Sequence, residues 1–413
     1  MKHEVDAMLL QFRVKNYRSI GDEIIIDLVA GKGRENPHFL ITKNNIKILP
    51  VVSFYGANAS GKSNIASALF HMFENIASSI QNKKSDTPLT VPFLFDSTLS
   101  SEPTEAEIFI ALGDYELQYG YSVSRTQVHE EWLYYRKLSK NKTKSYIVFE
   151  REGDEINFSG PYKHLSVYKD FITSDSLALS FLGHVDNKKH PTSIDVFKDI
   201  VAWAKNNIIC SNPDALASAA MKIVLEAYKI SKDSILEFIQ EFDPCIEDIE
   251  ITHETNEVGE RHSKIRTQHN GNWYPLEIES TGTKKLFEFY LSLFISLHKH
   301  QTTLVFDELD TYLHPLIIRR IIAMFHNKEI NKMNSQLITT SHNLIIMDKS
   351  ELRRDQIWFV EKDCSSFTMA YSLASFKSTK DDVRSDLSYG KHYLSGRFGA
   401  IPYATRQGGA NGH

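Results

Sequence analysis

Residues 51–63 restrict the folds open to this chain more than any other stretch. Val51, Val52, Ser53, Phe54 and Tyr55 make a short apolar run, and Gly56, Ala57, Asn58, Ala59, Ser60, Gly61, Lys62 and Ser63 follow at the spacing GxxxxGK(S/T). An apolar run bounded by glycine predicts a buried strand, and helical spacing from Asn64 onward predicts a helix behind it. A glycine turn before a helix is common by itself. Set between a strand and a helix, it reads as a phosphate loop. Its glycines let successive N–H groups turn inward onto phosphate oxygens, Lys62 adds a positive charge on the β/γ-phosphates, and the Ser63 hydroxyl ligates Mg2+. The helix opened by Asn64 directs its positive end at the anion. ATP and Mg2+ are therefore the expected cofactors.

A phosphate loop that works with Mg2+ needs carboxylates, and Leu304, Val305, Phe306, Asp307 and Glu308 form a second apolar run that ends in two. Alone, this is a strand with a solvated acidic end. Behind a phosphate loop, Asp307 is placed to complete the metal shell and Glu308 to orient or deprotonate an attacking water. A third run, residues 336–343, ends in Thr339, Thr340, Ser341, His342 and Asn343. A lone histidine at a strand end is more often structural, but at this distance behind an acid-ended strand His342 reads as a γ-phosphate sensor.

The rest of the chain divides by pattern. Residues 9–14 and 23–28 alternate apolar and polar side chains around a turn at Gly21 and Asp22, which predicts an antiparallel hairpin. Residues 107–111, 116–123, 131–135 and 146–149 are rich in Tyr, Phe and Ile, as an antiparallel sheet should be. Apolar residues from about 162 to 242, including 221–228, recur at helical spacing. The last third alternates: helices over 285–297 and 315–325, strands over 303–306, 336–340 and 356–360. The expected fold class is α/β, with a mixed or parallel sheet, an antiparallel β part and a helical insertion. In this reading 1–413 is one discontinuous domain: 1–85 with the hairpin and phosphate loop, 86–160 antiparallel, 161–244 helical, and 245–413 with the remaining motifs.

Taken in order, these pieces resemble ABC-type ATPases of the RecF, SMC and OLD group, above all the stand-alone bacterial AAA-labelled proteins of abortive-infection and anti-phage defence. The residues that carry the resemblance are 12–19 (FRVKNYRS), 56–64, 279–284 (ESTGTK), 307–315 (DELDTYLHP), 339–343 (TTSHN) and 393–402 (YLSGRFGAIP). The resemblance implies an ABC ATPase head. It makes 279–284 a degenerate signature loop, in which Ser280, Gly282 and Thr283 meet the γ-phosphate held by a second subunit. Seen alone, Ser280 is simply a good helix cap. The loop departs from the usual Leu-Ser-Gly-Gly pattern. Asp310 falls in the loop that links subunits across the dimer, and Asn16, Arg18 and Ser19 would lie near the nucleotide. A polar hairpin turn explains those last three equally well. Gln81, Gln118 and Gln127 are candidates for the expected Q-loop glutamine. One chain carries one phosphate loop and one signature loop that cannot face each other, so two chains should pack as a twofold homodimer around ATP.

Bulk properties narrow the setting. A net charge of −5 is unlike a dedicated nucleic-acid coat, so any DNA contact must come from a local patch. Arg136, Lys137, Lys140, Lys142 and Lys144 form the clearest basic run, read first as a solvated hairpin tip and second as a DNA contact; Arg319, Arg320, Arg353 and Arg354 could extend it. Cys210, Cys245 and Cys364 lie far apart, against a disulfide framework and for a reducing compartment. Residues 1–7 are unlike a signal peptide, and the apolar stretch 286–297 is too short to span a bilayer; the reading is cytoplasmic, without a membrane. The span between phosphate and signature loops has no heptads, which excludes long coiled-coil arms. Phe359-Val-Glu361 resembles the opening of a Toprim nuclease, but no DxD pair follows, and Asp381-Asp382 sits in a polar stretch. A nuclease or toxin, if one is needed, would be a separate effector. Two readings result: an ATP-driven switch that holds an effector, or a RecF-like DNA repair ATPase. A small-molecule P-loop kinase has no use for the signature and histidine motifs.

Overall fold

Alternating side chains and short apolar runs partition this chain into two large sheets. A computed structural model describes residues 6–79, 88–139, 143–185, 195–206, 208–211, 232–255, 261–311, 313–363, 365–376 and 389–402. Its first strands are β1 (Ala7–Lys15), β2 (Ile24–Asp27), β3 (Ile41–Lys43), β4 (Ile46–Ile48), β5 (Val51–Tyr55), β6 (Thr104–Leu112), β7 (Tyr115–Val123), β8 (Val128–Lys137), β9 (Tyr146–Glu152) and β10 (Glu155–Phe158). They are followed by β11 (Ile208–Ser211), β12 (Asp248–Thr255), β13 (Arg261–His269), β14 (Asn272–Pro275), β15 (Thr303–Phe306), β16 (Gln336–Thr340), β17 (Ile357–Lys362) and β18 (Thr368–Ser372).

The first sheet is antiparallel throughout, in the order β10-β9-β8-β7-β6-β1-β2. The second runs β11-β15-β16-β5-β17-β18, parallel except for the β17–β18 hairpin at one edge. Every residue of β5, β15 and β16 is buried, as expected for parallel strands covered on both faces. Alternation then sends Val52 and Phe54 into one core and Val51 and Tyr55 into the other.

The Lys62–Ser78 helix fills the space between the two sheets. It buries Ile65, Ala66, Leu69, Met72, Phe73 and Ile76, spaced three or four residues apart along one stripe. Trp203, from the Val196–Asn206 helix, closes that core edge-on to Phe73 at 5.2 Å. Each large apolar side chain so buried contributes about 1.5–3 kcal/mol relative to exposure. The Thr281–His298 and Pro315–His326 helices cover the opposite face of the parallel sheet.

Two places differ from the pattern reading. Within the stretch of helical spacing, Ile208–Ser211 is a strand paired in parallel with β15. A short apolar run carries too few residues for its period to separate strand from helix. Strands β12, β13 and β14 form a three-stranded antiparallel sheet that the hydrophobic pattern did not announce. The 221–228 segment lies outside the described residues.

Candidate nucleotide site

The parallel register brings the carboxyl ends of β5, β15 and β16 side by side: Thr340 pairs with Phe54, and Thr339 with Phe306. Such an edge is where open α/β sheets hold ligands. The phosphate loop leaves β5 there. Its backbone is confined from behind, because a Cβ on Gly56 would collide with the Val360 carbonyl oxygen and one on Gly61 with the Thr368 hydroxyl. Gly61 also sits at φ +107°, a left-handed conformation that side chains other than hydrogen rarely adopt. Lys62 is only 6% exposed. Its ammonium donates to the carbonyl oxygens of Gly56 (3.0 Å) and Ala57 (2.9 Å).

Several groups in this loop fit an anion. The N–H groups of Asn58, Ala59, Gly61, Lys62 and Ser63 find no acceptor among the described residues. The buried Ser60 hydroxyl and Asp310 Oδ1 likewise have no partner among them. Buried polar groups left in this state are rare and call for a ligand or water. A cleft of about 440 Å³ opens against Gly56, Ala57, Asn58, His342 and Tyr393.

The two acids that end β15 are organised by β16. Thr340 Oγ1 donates to Asp307 Oδ1 at 2.6 Å and accepts from the Glu308 N–H at 2.7 Å. Glu308 stands at φ +52°, so the chain turns sharply there. The turn brings the Leu309 N–H to the Thr340 carbonyl (3.1 Å) and the Thr311 hydroxyl to Glu308 Oε2 (3.1 Å). A left-handed non-glycine residue costs about 1–3 kcal/mol and persists where its surroundings over-determine it. Asp310 Oδ2 accepts from the His342 N–H at 2.7 Å.

Electrostatics tie these residues into one cluster. Burial pushes the Lys62 ammonium below the usual lysine range, while Asp307, Glu308 and Asp310 oppose that shift. Burial also lowers the His342 pKa; Lys62 lowers it further, and Asp310, Glu308 and Asp307 pull the other way. His342 is therefore a neutral imidazole at neutral pH, able to accept or donate a hydrogen bond.

The remaining candidates fall in two groups. Ser19 joins the phosphate loop from the side. Asn64 Nδ2 donates to Ser19 Oγ (2.5 Å), Ser19 Oγ and Thr368 Oγ1 lie 2.7 Å apart, and Thr368 Oγ1 donates to the Ser60 carbonyl at 3.1 Å. Arg18 is exposed, with its guanidinium 5.5 Å from the Tyr17 ring centroid. Asn16 is fully buried and holds the 93–103 loop: its amide nitrogen donates to the carbonyls of Leu99, Glu102 and Pro103, and its oxygen accepts from the Phe93 N–H. Gln118 donates to Glu107 on the antiparallel sheet, and Gln127 is exposed in the β7–β8 turn. Gln81 lies outside the described residues.

The 279–284 loop caps the Thr281–His298 helix. Ser280 Oγ accepts from the Thr283 N–H at 3.0 Å, and the Thr283 hydroxyl donates to Asp243 at 3.0 Å. Glu279 accepts from Thr267 and pairs with His269 at 2.7 Å, which raises the His269 pKa. Ser280 is exposed, and Gly282 is half-buried. Two residues that the sequence did not assign to the nucleotide site emerge beside it: Thr368, placed behind Gly61, and Glu361, at the end of β17, which the sequence offered only as part of a Toprim-like run. Neither has a local signal, since each meets the phosphate loop only through pairing with distant strands.

Several of the arginines are paired within the chain. Arg136 meets Glu116 at 2.5 Å, Arg319 meets Glu351 at 2.6 Å, Arg320 lies 3.6 Å from Glu241, and Arg353 meets Asp355 at 2.7 Å. Lys140 and Lys142 lie outside the described residues, as do Asp381 and Asp382. Among the described residues no helix is long and apolar enough to cross a membrane.

Fold and motif order together define an AAA-type ATPase domain. Residues 51–348, most of the chain, match the family described as AAA domain, putative AbiEii toxin, type IV TA system, and the chain belongs to that family. Among solved structures it is similar to the SMC head domain from Thermotoga maritima (15% identity, 88% of this chain and 98% of that one, TM-score 0.39). It is also similar to the Smc head domain with an extended coiled coil bound to the C-terminal domain of ScpA, from Pyrococcus furiosus (13%, 89% and 97%, TM-score 0.40). A third is the Smc head domain with a coiled coil and joint from Pyrococcus yayanosii (12%, 89% and 97%, TM-score 0.40). No curated protein matches the chain.

Proposed function

We propose that this chain binds ATP with Mg2+ at the carboxyl edge of β5, β15 and β16, hydrolyses it, and acts as a nucleotide-driven dimeric switch. The observation that carries the reading is the Thr340 bridge, which holds Asp307 and Glu308 together beside Lys62. In this reading Gly56, Ala57, Asn58, Ala59, Ser60, Gly61, Lys62, Ser63 and Asn64 cradle the phosphates. Lys62 leaves the Gly56 and Ala57 carbonyls for the β/γ-phosphates when ATP enters. Ser63 and Asp307 hold Mg2+, which supplies charge neutralisation on the phosphate oxygens. Glu308 orients the attacking water and takes its proton, and His342 contacts the terminal phosphate.

Dimerisation is supported by the arrangement of the half-sites. Ser280 is exposed at the start of its helix, and among the described residues no hydrogen bond joins it to Lys62, Asp307 or Glu308, so a second copy would present Ser280, Gly282 and Thr283 to the bound γ-phosphate, with Asp310 at the seam. The proposed setting is bacterial anti-phage defence inside the cytoplasm, with a separate nuclease or toxin as effector; the family description names a toxin of a toxin–antitoxin system. Internal pairing of Arg136, Arg319, Arg320 and Arg353 supports an effector over direct DNA binding.

The test is ATP hydrolysis by the purified protein with and without duplex DNA, with Glu308→Gln as the blank. Slow, DNA-indifferent hydrolysis that vanishes in the variant is the expected result. Activity that is strongly stimulated by DNA and lost at higher salt would favour the RecF-like alternative.

A further inference from the structure

Strand β17 runs parallel to β5, pairing Phe359 with Tyr55, so its end lies beside the start of the phosphate loop. Glu361 follows there, half-buried, and its carboxylate is turned toward the 393–402 segment. Glu361 Oε2 accepts from the Ala400 N–H at 2.9 Å, and Oε1 accepts from the Tyr371 hydroxyl at 3.2 Å. The Ala400 carbonyl in turn accepts from the Ala57 N–H of the phosphate loop at 3.1 Å and from the Tyr393 hydroxyl at 2.9 Å. Both backbone polar groups of Ala400 are thus engaged, one by Glu361 and the other by the loop that would hold the phosphates.

The local backbone is shaped for this contact. Ala400 stands at φ +56° and Gly399 at φ +70°, a tight left-handed turn. A Cβ on Gly399 would stand 2.6 Å from the Tyr371 hydroxyl and 3.4 Å from the Glu361 carboxylate. Aromatic packing fastens the segment independently: Tyr393 and Phe398 stack on Phe359 at 5.4 Å and 5.3 Å. Removing the carboxylate would therefore release a polar latch while leaving the apolar attachment in place. Tyr393 and Pro402 of the same segment also line the cleft shared with Ala57, Asn58 and His342.

We propose that Glu361 is a positioning residue for the phosphate loop: through Ala400 it holds the 393–402 segment on Ala57 and so sets the affinity for ATP. The proposal rests on the ATP-binding reading above. It gives Glu361 a role unrelated to the Toprim-like look of its sequence, since its carboxylate is occupied by Ala400 and Tyr371 and acts on the loop through them.

The experiment compares wild type, Glu361→Ala and Glu361→Gln in steady-state ATP hydrolysis and in thermal melts with and without Mg-ATP. Loss of the latch should raise the KM for ATP about tenfold in Glu361→Ala, with a much smaller change in kcat, as expected for a hydrogen-bonded brace acting on binding. The melting temperature without nucleotide should stay close to wild type, while the rise produced by Mg-ATP shrinks. Glu361→Gln should restore the KM, because its amide oxygen still accepts from Ala400 and its nitrogen can donate to the Tyr371 hydroxyl. An unchanged KM in Glu361→Ala, in a wild type that does hydrolyse ATP, overturns the proposal. So does a nucleotide-free melting temperature that falls in both variants, which would make Glu361 a brace for the fold alone. Absence of ATP binding by wild type would instead overturn the reading on which the proposal stands.

Discussion

The Thr340 hydroxyl donates to Asp307 Oδ1 across the β15–β16 ladder at 2.6 Å, and the same oxygen accepts the N–H of Glu308. One side chain thereby fixes both the acid assigned to the metal and the turn that aims the acid assigned to water. Thr340→Val keeps the shape and removes both bonds, leaving the Glu308 N–H without its acceptor, a loss of about 1–3 kcal/mol. Hydrolysis should fall at least about tenfold, and the Mg2+ concentration for half-maximal activity should rise. A Mg2+ titration of the variant checks this.

Glu308→Gln should abolish turnover while leaving ATP binding intact, because the amide keeps the size of the side chain and loses only its basicity. Two chains should then remain closed around unhydrolysed ATP. Light scattering in Mg-ATP is expected to show a dimer for the variant and a mixture for wild type; monomer alone in the variant would sink the dimeric-switch reading.

Gly61→Ala should be more damaging than its size suggests. The new methyl meets the Thr368 hydroxyl, and the backbone at φ +107° disfavours any Cβ. A penalty of about 1–3 kcal/mol is expected, with loss of nucleotide binding. Melting curves and ATP titration report the two effects separately.

Asn16→Ala should behave in the opposite way. Its amide holds the 93–103 loop, so removing it leaves the Phe93 N–H without its acceptor and takes a donor from the carbonyls of Leu99, Glu102 and Pro103. Stability should drop by about 1–3 kcal/mol, while the KM for ATP in the folded fraction stays near wild type. Denaturant unfolding alongside steady-state kinetics distinguishes this from a nucleotide contact.

His326 predicts acid sensitivity. Burial lowers its pKa to about 3, with Gln356 opposing the shift through a hydrogen bond. Between that value and the ordinary histidine range near 6.5, the unfolded chain binds a proton that the folded chain refuses. Stability should therefore decline as pH falls through this window, at a slope approaching 1.4 kcal/mol per pH unit. Chemical denaturation from pH 7 to pH 4 should show the decline, and His326→Gln should flatten it.

Much of the site was legible because its chemistry is local. The apolar runs 51–55, 303–306 and 336–340 coincide with β5, β15 and β16, and the residues that follow each run form the loop, the acid pair and the histidine motif. The helix calling card was equally local: Ser280 as a cap and Pro315 at a helix start each act within a few residues. Strand β11 was not legible, since a run of four residues, three of them apolar, does not reveal a period.

Sequence alone determined the class of chemistry, because glycine spacing, a lysine and strand-end acids act through neighbours along the chain. Tertiary structure decided which groups support them. Thr368 reaches Ser60 across 308 residues, Ser19 reaches Thr368 across 349, and Glu361 reaches the phosphate loop only through Ala400. Such contacts depend on strand order and register, and no periodicity along the chain encodes which distant strand lies behind a given loop. The same limit separates Asn16 from Ser19. Three positions apart in one polar turn, they differ because folding buries one beneath a loop and sets the other against Asn64.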